Sequence, residues 1–159
     1  MNRNGRNMKF EKLSKKESFP YEFLLLADPS KELVDKYLKQ SDVFVAIQNG
    51  ETVGVVVLFP ITMVEAEIKN IAVKPELEGQ GIGSYLIKNV IKTAKQRKYQ
   101  KLSIGTANSS IGPLYLYQKH GFEITDIIKW FFINNYPEPI YEDGLQAKHM
   151  IILTKDLTK

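Results

Sequence analysis

The chain contains no cysteine and only two histidines. The first absence removes disulfides, thiolate nucleophiles and Cys-ligated zinc. The second leaves His120 and His149, which form no metal-ligand spacing, so no metal is expected and His120 reads as structural. Long hydrophobic runs are missing too. The apolar stretches at 23–27 and 54–59 fall well short of the ~20 residues that span a bilayer, and the N-terminus shows no signal-peptide core. No membrane partner is expected, and the chain reads as cytoplasmic.

What is present is an ordinary globular balance: 159 residues, 43% hydrophobic and 25% charged, enough for one domain with its own core. The net charge of +4 is unevenly placed. Arg3, Arg6, Lys9, Lys12, Lys15 and Lys16 face only Glu11 in the first sixteen residues, so the rest of the chain is close to neutral. Residues 1–16 are read as a basic, frayed lead-in with no nucleic-acid role, and 17–159 as the folded domain.

Periodicity orders the elements. Met8, Phe10 and Leu13 allow a first edge strand. Ser30 caps a short helix carrying Leu33, Val34 and Leu38. Residues 43–47 and 53–59, joined by Asn49-Gly50, read as an antiparallel hairpin, Pro60 breaks it, and 64–73 adds a third strand. From 83 to about 97, Leu86, Ile87, Val90, Ile91 and Ala94 recur on one helical face, with Lys88, Lys92 and Lys95 outward. A strand at 101–106, a helix at 111–120 closed by Gly121, a strand at 122–128 and a last strand near 149–153 follow. The fold class is α+β: one mixed, mainly antiparallel sheet flanked by helices.

The segment Gly79-Gln80-Gly81-Ile82-Gly83-Ser84 lies between a strand and the long helix. Glycines there permit a sharp turn and close approach of a ligand to the first helical N–H groups, where the dipole favours an anion such as a pyrophosphate. Two familiar phosphate motifs fail. The dinucleotide fingerprint needs glycine at its sixth position, which is Ser84, and a P-loop needs a lysine that is absent beside Gly83-Ser84.

The run from Glu67 through Lys74-Pro75, then Gly79-Gln-Gly-Ile-Gly83, then Asn108, then Leu116-Tyr-Gln-Lys-His-Gly-Phe122 resembles the GCN5-related N-acetyltransferases (GNAT). Leu24-Leu-Leu-Ala-Asp-Pro-Ser30 and the late Asp143-Gly144 to Met150-Ile151 segment are similar to small bacillus-type members. The resemblance implies a single-domain GNAT fold, acetyl-CoA as cosubstrate and acetyl transfer to a primary amine, on a small molecule or a peptide, by direct attack in a ternary complex. By position it places the pyrophosphate on the backbone of Gly79, Gln80, Gly81, Ile82, Gly83 and Ser84, the pantetheine beside Ile71, Ala72 and Val73, and a cofactor contact at Asn108. It gives Tyr117 as the acid that protonates the departing thiolate and Glu67 as the base. Glu78 departs from the pattern, which has Gln or Arg there, and a carboxylate beside a pyrophosphate is repulsive unless it faces solvent or pairs with a lysine such as Lys74.

Chemistry sets the same demands. An amine with a pKa near ~10.4 must lose a proton before it attacks, so a base is needed, and a phenol near ~10 is a suitable acid. Glu67 alternates with Lys69, Ile71 and Val73 if the strand is regular; Tyr115 is the reserve acid. Residues 130–143 interleave aromatics with Glu138, Glu142 and Asp143, suiting either a cationic amine or a solvated connector. A non-catalytic acyl-CoA-binding or sensing module is the alternative from another class, and a homodimer stays open.

Overall fold

The computed structural model describes residues 7–14 and 18–159; the rest of the basic lead-in lies outside them. Its elements run β1 (Met8–Lys12), α1 (Tyr21–Ala27), α2 (Lys31–Leu38), β2 (Asp42–Gln48), β3 (Glu51–Pro60), β4 (Glu65–Val73), a 3-10 turn (Pro75–Leu77), α3 (Ile82–Gln96), β5 (Lys101–Ala107), α4 (Ile111–Lys119), β6 (Glu123–Ile128), α5 (Phe131–Asn135), β7 (Tyr141–Glu142), β8 (Leu145–Gln146) and β9 (Met150–Asp156). Seven strands form one sheet in the order β1-β2-β3-β4-β5-β9-β6, and β7-β8 is a separate hairpin. Every pairing in the large sheet is antiparallel except β4 with β5. The expected mixed, mainly antiparallel sheet is present, and the edge strand β1 is held by Phe10 stacked on Phe44 at 5.0 Å.

Helices cover both faces. Ile82, Leu86, Ile87, Val90 and Ala94 of α3 are buried against Val56, Leu58, Ala66, Ile68 and Leu102. On the other face, Phe23 and Leu24 of α1 and Val34 and Leu38 of α2 pack with Val43, Val45, Val55 and Val57. The Ser30 hydroxyl accepts from the Leu33 N–H at 3.2 Å, the cap expected for α2. Three elements escape the sequence reading: α1, α5 and the β7–β8 hairpin. In α1 the run Phe23-Leu-Leu-Leu26 has no polar face to reveal a helical period, and its amides at Phe23 and Leu24 bond the Pro20 carbonyl rather than a side-chain cap.

One bulge in β4 decides which of its side chains face which layer. In β4, Asn70 pairs with Val57 but Ile68 pairs with Leu58, so Lys69 is an extra residue. Ala66 and Ile68 lie on the α3 side, as do Ile71 and Val73, while Ala72 lies on the α1/α2 side. This corrects the simple alternation: Glu67 does not share a face with Ile71 and Val73. The extra residue places it on the α1/α2 side with Asn70 and Ala72.

Candidate active site

The central geometry is the early end of the parallel ladder. β4 and β5 pair only from Glu65 with Lys101 to Ile68 with Ile104. β4 nevertheless continues to Val73 along β3, and β5 to Ala107 along β9. Past Ile68 the two strands diverge, and alternate residues of β4 turn their N–H and C=O groups into the opening. Ile71, Ala72 and Val73 form that wall, and the carboxyl ends of parallel strands are where ligands enter such sheets. A surface depression of about 340 Å³ lined by Val64, Glu65, Lys101 and Asp156 lies at the opposite, closed end.

At the open end the α3 N-terminus meets the cleft. Gly79 has φ +79° and Gly81 φ +86°, a left-handed backbone that other residues adopt only with strain. Gly81 caps α3 with no side-chain hydrogen bond, so the first-turn amides of Ile82, Gly83 and Ser84 present their donors to a ligand. A Cβ on Gly83 would lie 3.3 Å from Leu116 and 4.0 Å from Val73; glycine there lets α3 approach both α4 and β4. Gln80 stands exposed between the two left-handed glycines.

Ser84 is braced from α4: its hydroxyl and His120 Nε2 share a hydrogen bond of 3.1 Å. Burial first, then Lys88, Lys119 and Lys155, push the His120 imidazole below its ordinary range, so it is neutral near pH 7. Those lysines surround His120 at the Ser84 side of the turn. Glu78 is exposed, and Lys74 pairs with Glu51 at 3.7 Å and Glu76 at 3.8 Å instead. An uncapped, glycine-lined helix start beside an open cleft fits a pyrophosphate with a slender arm attached.

Tyr117 is 5% exposed, with its ring edge-on to Phe122 at 6.3 Å. Burial first and the charge of Glu142 second raise its phenol well above the ordinary value. Glu142 is a neighbour of Tyr117 whose position the sequence did not reveal. Its Oε1 accepts from Ser110 at 2.7 Å and Ser109 at 3.0 Å, which moors β7 to the start of α4. Asn108 does the same for β8 and β9: its amide donates to the Gln146 carbonyl at 3.1 Å, and its oxygen accepts from the Lys148 and His149 N–H groups at 2.7 and 3.0 Å. The Asn108 amide carries a second hydrogen besides the one given to Gln146. Ser109 and Ser110 beside it are buried, and such polar side chains need partners.

Glu67 lies away from the α3/α4 side, with its carboxylate 3.1 Å from Lys69 Nζ. The structure therefore sets the Gly79 to Ser84 turn beside the 71–73 wall through Gly83 and Val73, packs Tyr117 in the core on the α3/α4 side, and places Glu67 across the sheet. No group of three or more His, Cys, Asp or Glu suited to a metal occurs among the described residues. No described helix is long and apolar enough to cross a membrane.

Known proteins share this fold. A family model for the acetyltransferase (GNAT) domain matches residues 39–124. The uncharacterized N-acetyltransferase YvbK of Bacillus subtilis is 44% identical over 137 residues, 86% of this chain and 88% of YvbK. A GNAT family acetyltransferase from Elizabethkingia anophelis, solved with acetyl-CoA bound, superposes with a TM-score of 0.92 at 51% identity over 95% of this chain and 99% of that one. A Bacillus subtilis acetyltransferase solved with CoA does so with a TM-score of 0.89 at 41% identity over 94% and 99%. The chain belongs to the GNAT acetyltransferases, and its activity is that of an acetyl-CoA-dependent N-acetyltransferase.

Proposed function

We propose that the enzyme acetylates a primary amine by direct attack, with both substrates bound together at the β4/β5 opening. The observation that carries this is the parallel ladder ending at Ile68 and Ile104, with the uncapped start of α3 packed farther along β4 at Val73. The amides from Gly79 to Ser84 hold the pyrophosphate, and Ile71, Ala72 and Val73 line the pantetheine, with the second Asn108 amide hydrogen available to it. Acetyl-CoA supplies an activated thioester carbonyl. An unpaired β4 amide near Val73 stabilises negative charge on the carbonyl oxygen.

Glu67 removes the acceptor's proton through a water from the α1/α2 side, and Tyr117 returns a proton to the departing sulfur. A phenol raised by burial is a weaker acid. The sulfur anion in the same dry cleft gains proton affinity for the same reason, so the transfer keeps its direction. Thiol release from acetyl-CoA with a broad amine panel tests the reading. Tyr117→Phe should lower kcat by about 10²-fold with the acetyl-CoA KM little changed. Coenzyme A binding without thiol release from any amine would instead favour the non-catalytic module.

A further inference from the structure

On the α1/α2 face, polar side chains from four parts of the chain converge beside the β4 bulge. Asn70, 4% exposed, donates through its amide to the Leu24 carbonyl at 2.8 Å and to the Tyr37 hydroxyl at 2.9 Å. A carbonyl can only accept, so this fixes the amide's orientation. Asn70 Oδ1 then faces the other way, and it is the one buried side-chain polar atom among the described residues with no hydrogen-bond partner. Folded proteins keep few such atoms, and one at a site points to a ligand.

Asp28 is drawn to the same place. Its N–H also bonds the Leu24 carbonyl, at 3.1 Å. Its Oδ1 accepts from the Tyr136 hydroxyl at 2.8 Å and the Ser30 N–H at 3.1 Å, leaving Oδ2 without a partner among the described residues. No lysine or arginine pairs with it there. Burial and the Asp28 charge keep the Tyr37 and Tyr136 phenols protonated. The cluster thus offers a carboxylate oxygen and an amide carbonyl with no cation to satisfy them. Asn70 is also the first β4 residue beyond the Lys69 bulge, where the cleft opens.

We infer that Asp28, Tyr37, Asn70 and Tyr136 form the acceptor-recognition site, which takes a primary ammonium with no carboxylate beside it. Asp28 Oδ2 supplies the counter-charge, and Asn70 Oδ1 accepts a hydrogen bond from an N–H of the bound acceptor. An α-amino acid would set its own carboxylate against Asp28. The inference rests on the acetyltransferase reading and names the substrate class of that site.

The test uses ¹⁵N-labelled protein saturated with coenzyme A and titrated with phenethylamine, its neutral analogue 2-phenylethanol and its carboxylated analogue phenylalanine. The expected result is a shift of the Asn70 side-chain amide resonances, with phenethylamine binding about tenfold or more tightly than the other two. Asp28→Asn should remove that preference while coenzyme A affinity is kept. No Asn70 shift, equal binding of the three compounds, or an unchanged preference in Asp28→Asn overturns the inference. Failure of the underlying reading shows earlier and separately, as an absence of coenzyme A shifts at 79–84 before any amine is added.

Discussion

Tyr117 illustrates how a single side chain carries opposing demands. Its ring seals α4 against Phe122, yet the proposed proton transfer needs its hydroxyl to meet the departing sulfur. The price is a phenol that holds its proton more tightly than in water, and Tyr37, pushed up to about 12 chiefly by burial, behaves alike. Both groups are raised in the folded state, so their stabilising effect is complete below the unfolded phenol's value of ~10 and is lost as pH rises beyond it. The urea midpoint should therefore be insensitive to these phenols between pH 7 and 9, then fall between ~10 and ~12, with each contributing up to about 1.4 kcal/mol per pH unit. Tyr37→Phe should flatten part of that fall; an identical alkaline decline in the variant would contradict the assignment. Residue type and spacing made Tyr117 legible, since a tyrosine four residues before Gly121 on a short helix is a local pattern. Glu142 was not: its meaning comes from serines 32 and 33 positions away, and no local period encodes such a contact.

Among the elements, those with strong local chemistry were readable. The β2–β3 hairpin announces itself through Asn49 and Gly50, which adopt φ +52° and +79°, and α3 through one apolar face. The bulge at Lys69 was not readable, because an extra residue is defined by the partner strand. It moves Glu67 to the α1/α2 side, a reversal that follows from inserting one residue into a two-residue period. The β7–β8 hairpin likewise has only two residues per strand and is fixed by Asn108, Ser109 and Ser110. Asn108→Ala removes three of these hydrogen bonds, at a cost of about 1–3 kcal/mol. Amide hydrogen exchange should then accelerate across 141–149 while α3 stays protected. Uniform acceleration through the whole sheet, or none at all, would show that Asn108 does not moor this hairpin.

At the scale of the whole molecule, function follows from one sheet made of two parts that share a short parallel seam. The β1–β4 meander and the β5, β9 and β6 set join over four residue pairs and then separate. Helices α3 and α4 begin on the strands that diverge, so both helix starts border the opening. The α1/α2 layer closes the other face with Asn70 and Asp28. The order of strands and helices along the chain implies such a sheet, but where the seam ends depends on the bulge and on β9 taking the far side of β5. The most direct test of the account is a coenzyme A titration followed through backbone amide resonances. The account predicts the largest shifts at 79–84 and 71–73 and none at the closed end around Lys101 and Asp156. Shifts confined to the closed end, or none at 79–84 at saturating coenzyme A, would contradict it.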